Sequence, residues 1–259
     1  MTVIPYRYIT AMFDREAELE SSIEIGVDVA RSGLDNTIFF ARSGAQALRI
    51  KRLTGNNTME VVGQLVEFVR QLQEFYELPV TLIKIDIIGV GSGVYDRCME
   101  LNDELDIELP VQAVVNSEKP TKDGERYHNL RAEQAWSFRF LAETGQIALK
   151  GLICDDDEVL EYLRQDITAI RYKVSNSSGK ILILSKDELR RILGRSCDYF
   201  DAATLAYCTP GGVPAVTTLS TKSDVVTVED EWISDEEWRI LCGYVPVNHT
   251  TFKKTEILL

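Results

Sequence analysis

The feature that most narrows the possible folds is an early change of hydrophobic period. Ile23, Ile25, Val27 and Val29 alternate with Glu24, Gly26, Asp28 and Ala30, a period-two pattern that predicts a strand over 23–30. Arg31 to Asn36, with Ser32, Gly33, Asp35 and Asn36, reads as a turn. Strands at 37–42 and 46–53 follow closely enough to make an antiparallel meander. Over 58–76 the spacing widens. Val61, Val62, Leu65, Phe68, Val69 and Leu72 mark one face of a helix, with Thr58 as its N-cap. The run Val80 to Ile88 is strand-like again, and a helix between it and the meander implies a crossover and a parallel pairing. The chain therefore reads as α/β with a mixed sheet.

The remaining punctuation extends this order. The run Gly89-Val-Gly-Ser-Gly93 opens a helix over 94–105, and 110–115 is a further strand. A polar loop, 116–129, leads to an aromatic-rich helix over 130–144 and a short strand at 146–149. A helix over 155–166 has an acidic start that suits its dipole. Segments 169–174 and 180–184 bracket a hairpin, and 185–193 and 197–208 are helices. Pro210 to Pro214 ends the packed region. The division expected is a linker or helix over 1–22, one domain over 23–214, and a C-terminal arm over 215–259, acidic in its middle.

Charge and cysteine usage exclude several functions. With 41 acidic against 28 basic residues, the net charge of -13 argues against holding nucleic acid through overall charge. It leaves room for a local basic groove, or for metal ions that reverse the sign of a site. The 5 cysteines form no C-x-x-C pair, and 2 histidines cannot build a histidine-rich metal site. No apolar run is long enough for a membrane span, and the start carries no secretory h-region. No G-x-x-x-x-G-K-[ST] occurs, so no P-loop ATP site is present. Gly89, Gly91 and Gly93 do not match G-x-G-x-x-G, and a tight strand-to-helix turn is the favoured reading over a nucleotide site.

Three acids lie where a charge needs a partner. Asp28 and Asp86 sit near the ends of strands otherwise built of isoleucine and valine, and Asp201 sits in the apolar helix Tyr199-Phe-Asp-Ala-Ala-Thr-Leu-Ala206. Carboxylates in such elements are costly unless paired, protonated or bound to a cation. Asp198, one turn before Asp201, can share its face or cap the helix. A carboxylate cluster without histidine or cysteine suits Mg²⁺ or Mn²⁺. Two such ions suit phosphodiester hydrolysis. Taken singly, Asp28 and Asp86 also fit ordinary turn or salt-bridge roles.

These segments resemble the nuclease domain of tailed-phage terminase large subunits, the DNA-packaging enzymes. Ile25-Gly-Val-Asp-Val-Ala-Arg-Ser-Gly-Leu-Asp-Asn-Thr37 is similar to its first motif, and Ile85-Asp-Ile-Ile-Gly-Val-Gly-Ser-Gly-Val-Tyr-Asp96 to its second. Tyr127-His-Asn-Leu-Arg-Ala-Glu133 resembles a segment that precedes the third, and Cys197-Asp-Tyr-Phe-Asp-Ala-Ala-Thr-Leu-Ala206 the helix bearing the last carboxylate. Val3-Ile-Pro-Tyr resembles the junction before that domain. The resemblance implies an RNase H-like mixed central sheet flanked by helices, with a small additional β-hairpin. It implies an endonuclease that cuts concatemeric double-stranded viral DNA, with Asp28, Asp86, Asp201 and Asp198 as metal-binding catalytic residues and two Mg²⁺ or Mn²⁺ ions. It further implies portal protein and small terminase subunit as partners, no membrane, and the cytoplasm of a bacterial host. The ATPase half of such enzymes is absent from this chain. Lys119, Lys122, Arg126 and Arg131 gather in one stretch of an acidic chain and are the candidate DNA contacts. Competing readings are a junction resolvase or transposase, which share the carboxylates, and a non-enzymatic portal-docking module.

Overall fold

The structure is a computed structural model that describes residues 1–30, 35–55, 57–105 and 108–209. Strands β1 (Ile23–Asp28), β2 (Asn36–Ser43), β3 (Gln46–Thr54), β4 (Val80–Asp86), β5 (Val111–Val114) and β6 (Ile153–Cys154) make one sheet in the order β5-β4-β1-β2-β3-β6. The meander β1–β2–β3 is antiparallel, whereas β4 and β5 run parallel to β1 and β6 runs parallel to β3. Helix α2 (Thr58–Tyr76) supplies the expected crossover into β4. Its N-cap is Asn57, one residue earlier than expected. Asn57 and Glu60 close a reciprocal capping box, the Glu60 amide donating to the Asn57 side chain at 3.0 Å.

Period two in the strands splits the apolar side chains between two cores. Ile23, Ile25, Val27, Phe39, Ile83 and Ile85 pack under α2 and helix α3 (Gly91–Leu105). Ile38, Phe40 and Ile50 pack on the other side, with helices α1 (Tyr6–Asp14), α4 (Leu130–Glu143), α5 (Asp157–Ala169) and α7 (Asp198–Tyr207). The sheet is therefore sandwiched between helical layers. A second, two-stranded sheet pairs β7 (Tyr172–Val174) with β8 (Ile181–Ile183), the expected hairpin, and short helix α6 (Lys186–Leu193) follows it.

Three expectations shift. The N-terminal helix packs into the domain that it was expected to precede, with Val3, Ile4, Ile9, Met12 and Phe13 buried in the second core. The short strand read at 146–149 reduces to a single bridge between Gln46 and Ala148, and β6 forms at 153–154 instead. Apolar Ile147 and Leu149 are buried all the same, so their hydrophobicity marks core contact and not pairing. Helix α3 begins at Gly91, so the glycine turn is shorter than the motif suggested. A Cβ at Gly91 would collide with the Asp86 carbonyl oxygen, which explains the missing side chain. The arm at 215–259 and its boundary at 214 lie outside the described residues.

Candidate active site

The strand faces that avoid the α2–α3 core carry charge. Glu24, Gly26 and Asp28 on β1 share a face, as do Lys84 and Asp86 on the adjacent parallel strand β4, where Gly26 lies beside Lys84. Asp28 and Asp86 both end their strands, at the carboxyl edge where α/β sheets place ligands. Helix α7 covers this face. A Cβ on Gly26 would lie inside 3.0 Å of the Ala202 carbonyl, the Ala206 amide and the Leu205 Cβ, so only glycine lets α7 come so close. At the far end of α7, Arg42 Nε and Lys84 Nζ donate to the Ala206 carbonyl at 2.7 and 3.0 Å. These cations sit where the helix dipole is negative. Fully buried Lys84 is balanced by Glu24 at 2.7 Å. So clamped, α7 brings Asp198 and Asp201 over the strand ends. Asp28, Asp86, Asp198 and Asp201 are all buried, each at 7 % exposure or less.

Two cations stand among these acids. Lys186, the first residue of α6, places its Nζ 3.1 Å from Asp201 Oδ2 and 3.5 Å from Asp28 Oδ2. Arg131 grips Asp201 through Nε at 3.2 Å and Nη2 at 3.0 Å, and its other arm donates to the Leu184 carbonyl. The acids respond unequally. Burial, reinforced by Asp201, Asp198 and Asp86, holds the Asp28 carboxyl well above the usual carboxylate range against the pull of Lys186. Burial also raises Asp86, opposed by the Ile88 amide and Lys186, and raises Asp198, opposed by Ser196 and Lys186. Asp201 is held low by Arg131 and Lys186 despite its burial.

All four sequence-derived acids thus meet at one place. Among the described residues no three His, Cys, Asp or Glu side chains are grouped to hold an ion as they stand. Instead, the Lys186 ammonium lies between Asp28 and Asp201. The donor set still fits a hard divalent cation: it is all oxygen, and Asp28 and Asp201 already share one cation, the Lys186 ammonium.

The 116–131 stretch frames the site differently from expectation. Arg131, read as a DNA contact, is turned inward onto Asp201 and belongs to the acid cluster. Lys119 and Lys122 are exposed and Arg126 is partly so. Asn116, which the sequence reading passed over, donates from Nδ2 to Asp86 Oδ2 at 2.9 Å. Buried Glu133 fastens the middle of the loop, accepting from Thr121 Oγ1 at 2.6 Å and from the Lys122 and Asp123 amides. The loop therefore runs from a contact with Asp86 to a contact with Asp201. Lys186 and Asn116 were both missed. Lys186 lies in an ordinary-looking Lys-Asp-Glu-Leu helix start. Asn116 carried a usable signal: it follows β5, whose neighbour β4 ends at Asp86, so topology sets it at the same sheet edge.

No family model and no curated protein matches the sequence. Among solved structures, the nuclease domain of the large terminase subunit gp2 of bacterial virus Sf6 is similar at a TM-score of 0.63 and 18% identity, over 81% of this chain and 100% of that one. A mutant of the same domain solved with manganese and β-thujaplicinol gives 0.64 and 19% over the same shares. A mutant solved with calcium gives 0.63 and 18%. At this identity the likeness shows the fold: a mixed six-stranded sheet between helical layers, the fold of the nuclease domain of the phage Sf6 large terminase subunit.

Proposed function

We propose that this chain is a divalent-metal-dependent endonuclease domain of the terminase type, acting on double-stranded viral DNA. The observation that carries the reading is the convergence of Asp28, Asp86, Asp198 and Asp201 from two strand ends and one helix on a terminase nuclease fold. Asp28, Asp86 and Asp201 would hold Mg²⁺ or Mn²⁺, two ions in all, with Asp198 assisting. Bound there, the metal supplies Lewis-acid stabilisation of phosphate charge and an acidified water.

The protein side of the chemistry is preparation. Arg131 keeps Asp201 ionised and fixes its orientation. Asn116 fixes one oxygen of Asp86, and the Ile88 amide takes the other at 3.1 Å. Lys186 partly offsets the charge of Asp28 and Asp201 and would compete with a cation held by the same two acids. Exposed Lys119 and Lys122, with Arg126, would receive the DNA backbone beside the acids. Portal protein, small terminase subunit and a separate ATPase domain are the partners that this reading implies, in the cytoplasm of a bacterial host. Among the described residues no helix is long and apolar enough to cross a membrane.

Plasmid DNA incubated with the purified chain in EDTA, Mg²⁺ or Mn²⁺ tests the reading. Cutting with metal only, lost in Asp28→Asn and Asp201→Asn, is the expected result. Undiminished cutting in EDTA, or full activity in both variants, would overturn it. Four-way junctions cut in preference to linear duplex would instead support a resolvase.

A further inference from the structure

Asp166 is a fully buried acid that the proposed chemistry does not use, and it lies outside the carboxylate cluster. It sits in α5, and its Oδ2 accepts from the backbone amides of Tyr199 at 3.0 Å and Phe200 at 3.3 Å. Those are the second and third residues of α7, whose amides an N-cap side chain ordinarily takes. The residue at the N-cap position itself, Cys197, makes no side-chain cap bond. A carboxyl group from another helix therefore does the capping, at the positive end of the α7 dipole.

The cap is itself fixed. Arg195 Nη1 lies 2.6 Å from Asp166 Oδ1, and Arg195 Nη2 donates to the Tyr162 carbonyl at 3.0 Å. The guanidinium stacks over the rings of Tyr162 and Tyr199, at 4.3 and 5.3 Å. The turn that Asp166 holds carries both Asp198 and Asp201. The other end of α7 is held by Arg42 and Lys84, and its middle by contact with Gly26. In the first turn the acids themselves are held through their side chains, Asp198 by the Asn36 amide at 3.1 Å and Asp201 by Arg131, while Asp166 is what holds the backbone.

We infer that Asp166, fixed by Arg195, is a positioning residue that sets where the first turn of α7 presents Asp198 and Asp201. This rests on the nuclease reading above. With no exposed surface and its Oδ2 taken by backbone amides, Asp166 touches neither substrate nor metal. Its effect passes through the helix.

The test compares Asp166→Asn, which keeps an acceptor oxygen, with Asp166→Leu, which keeps none. Three quantities are read well below the melting temperature: Mn²⁺ affinity by calorimetry without DNA, hydrogen exchange at the Tyr199 and Phe200 amides, and kcat with KM for duplex DNA. In Asp166→Leu we expect faster exchange at those amides, Mn²⁺ binding weakened about tenfold, and kcat lowered about 100-fold with KM nearly unchanged, the scale of an ångström-sized misplacement. Asp166→Asn should recover at least half of the kcat loss on a logarithmic scale. A folded Asp166→Leu with wild-type exchange, Mn²⁺ affinity and kcat would overturn the inference. So would a kcat loss that follows only the unfolded fraction. Should Asp166→Leu fail to fold, Asp166→Asn decides: faster amide exchange with weaker Mn²⁺ binding supports the role, and wild-type values refute it. A wild-type chain that neither binds Mn²⁺ nor cuts DNA refutes the nuclease reading itself, and the exchange data then show whether the cap exists without it.

Discussion

Adding one methyl group at Gly26 tests how closely the site depends on the approach of α7 to the sheet. In Gly26→Ala the new Cβ would fall inside 3.0 Å of three α7 atoms, two of them backbone, where ordinary contact begins at 3.4 Å. Backbone atoms cannot rotate away, so the helix must withdraw from β1. Overpacking of this kind costs about 1–3 kcal/mol. For a domain of this size that corresponds to a fall in Tm of about 3–10 °C. The fold should survive, because both cores flank the contact and neither is emptied. Catalysis should not survive well. Asp201 precedes Ala202 and moves with it, while Asp28 stays on β1. A relative shift of about 1 Å is enough to lower kcat about 100-fold. Duplex binding in EDTA, measured by fluorescence anisotropy, should stay within about twofold, because the exposed lysines are not on α7. Thermal denaturation and plasmid nicking in Mn²⁺ supply the other readings. A Gly26→Ala chain with wild-type kcat and an unshifted Tm would refute the claim that glycine is there for the helix.

Metal-free Asp28→Asn should melt higher than wild type at alkaline pH. The folded state holds the Asp28 proton well above the ordinary range, so stability from this group falls as pH rises from that range to the raised value and stays low beyond it. Differential scanning fluorimetry across pH should show the gain shrinking towards nil below about pH 4, and a gain that grew on acidification would contradict the sign. Lys186→Ala, lacking the ammonium between Asp28 and Asp201, should lower the metal-free Tm and tighten Mn²⁺ binding about tenfold, equivalent to about 1.4 kcal/mol. Calorimetry showing weaker binding would make Lys186 a helper and not a competitor. Charge reversal at Lys119 and Lys122 together should weaken duplex binding and shrink its dependence on salt by about 2 in log–log slope. An unchanged slope would remove this loop from the DNA path.

The central fold was legible because β1, β2 and α2 each state their period without ambiguity. The acids were legible for a related reason: Asp28, Asp86 and Asp201 interrupt apolar elements, and such interruptions need a cause. The short strand read at 146–149 failed because Ile147 and Leu149 look identical to strand residues whether they pair or merely pack. Arg131 was read as a DNA contact because it shares one basic stretch with Lys119, Lys122 and Arg126, and sequence proximity says nothing about which way a helix start faces. Lys186 and Asp166 were not legible at all. Their partners are Asp28 and Asp201 for the one and the amides of Tyr199 and Phe200 for the other, reached only through tertiary packing.

The site draws its first acid from β1 and its last from α7, near the two limits of the described chain. Contacts this distant in sequence form late, because the intervening loop must close before they stabilise anything. On a ribosome, β1 through β5 can emerge and fold while Asp198 and Asp201 are still unmade. A nascent chain would thus hold two of the four acids for most of its synthesis. On the nuclease reading proposed above, this chain order puts assembly of the acid cluster after the emergence of every strand of the meander.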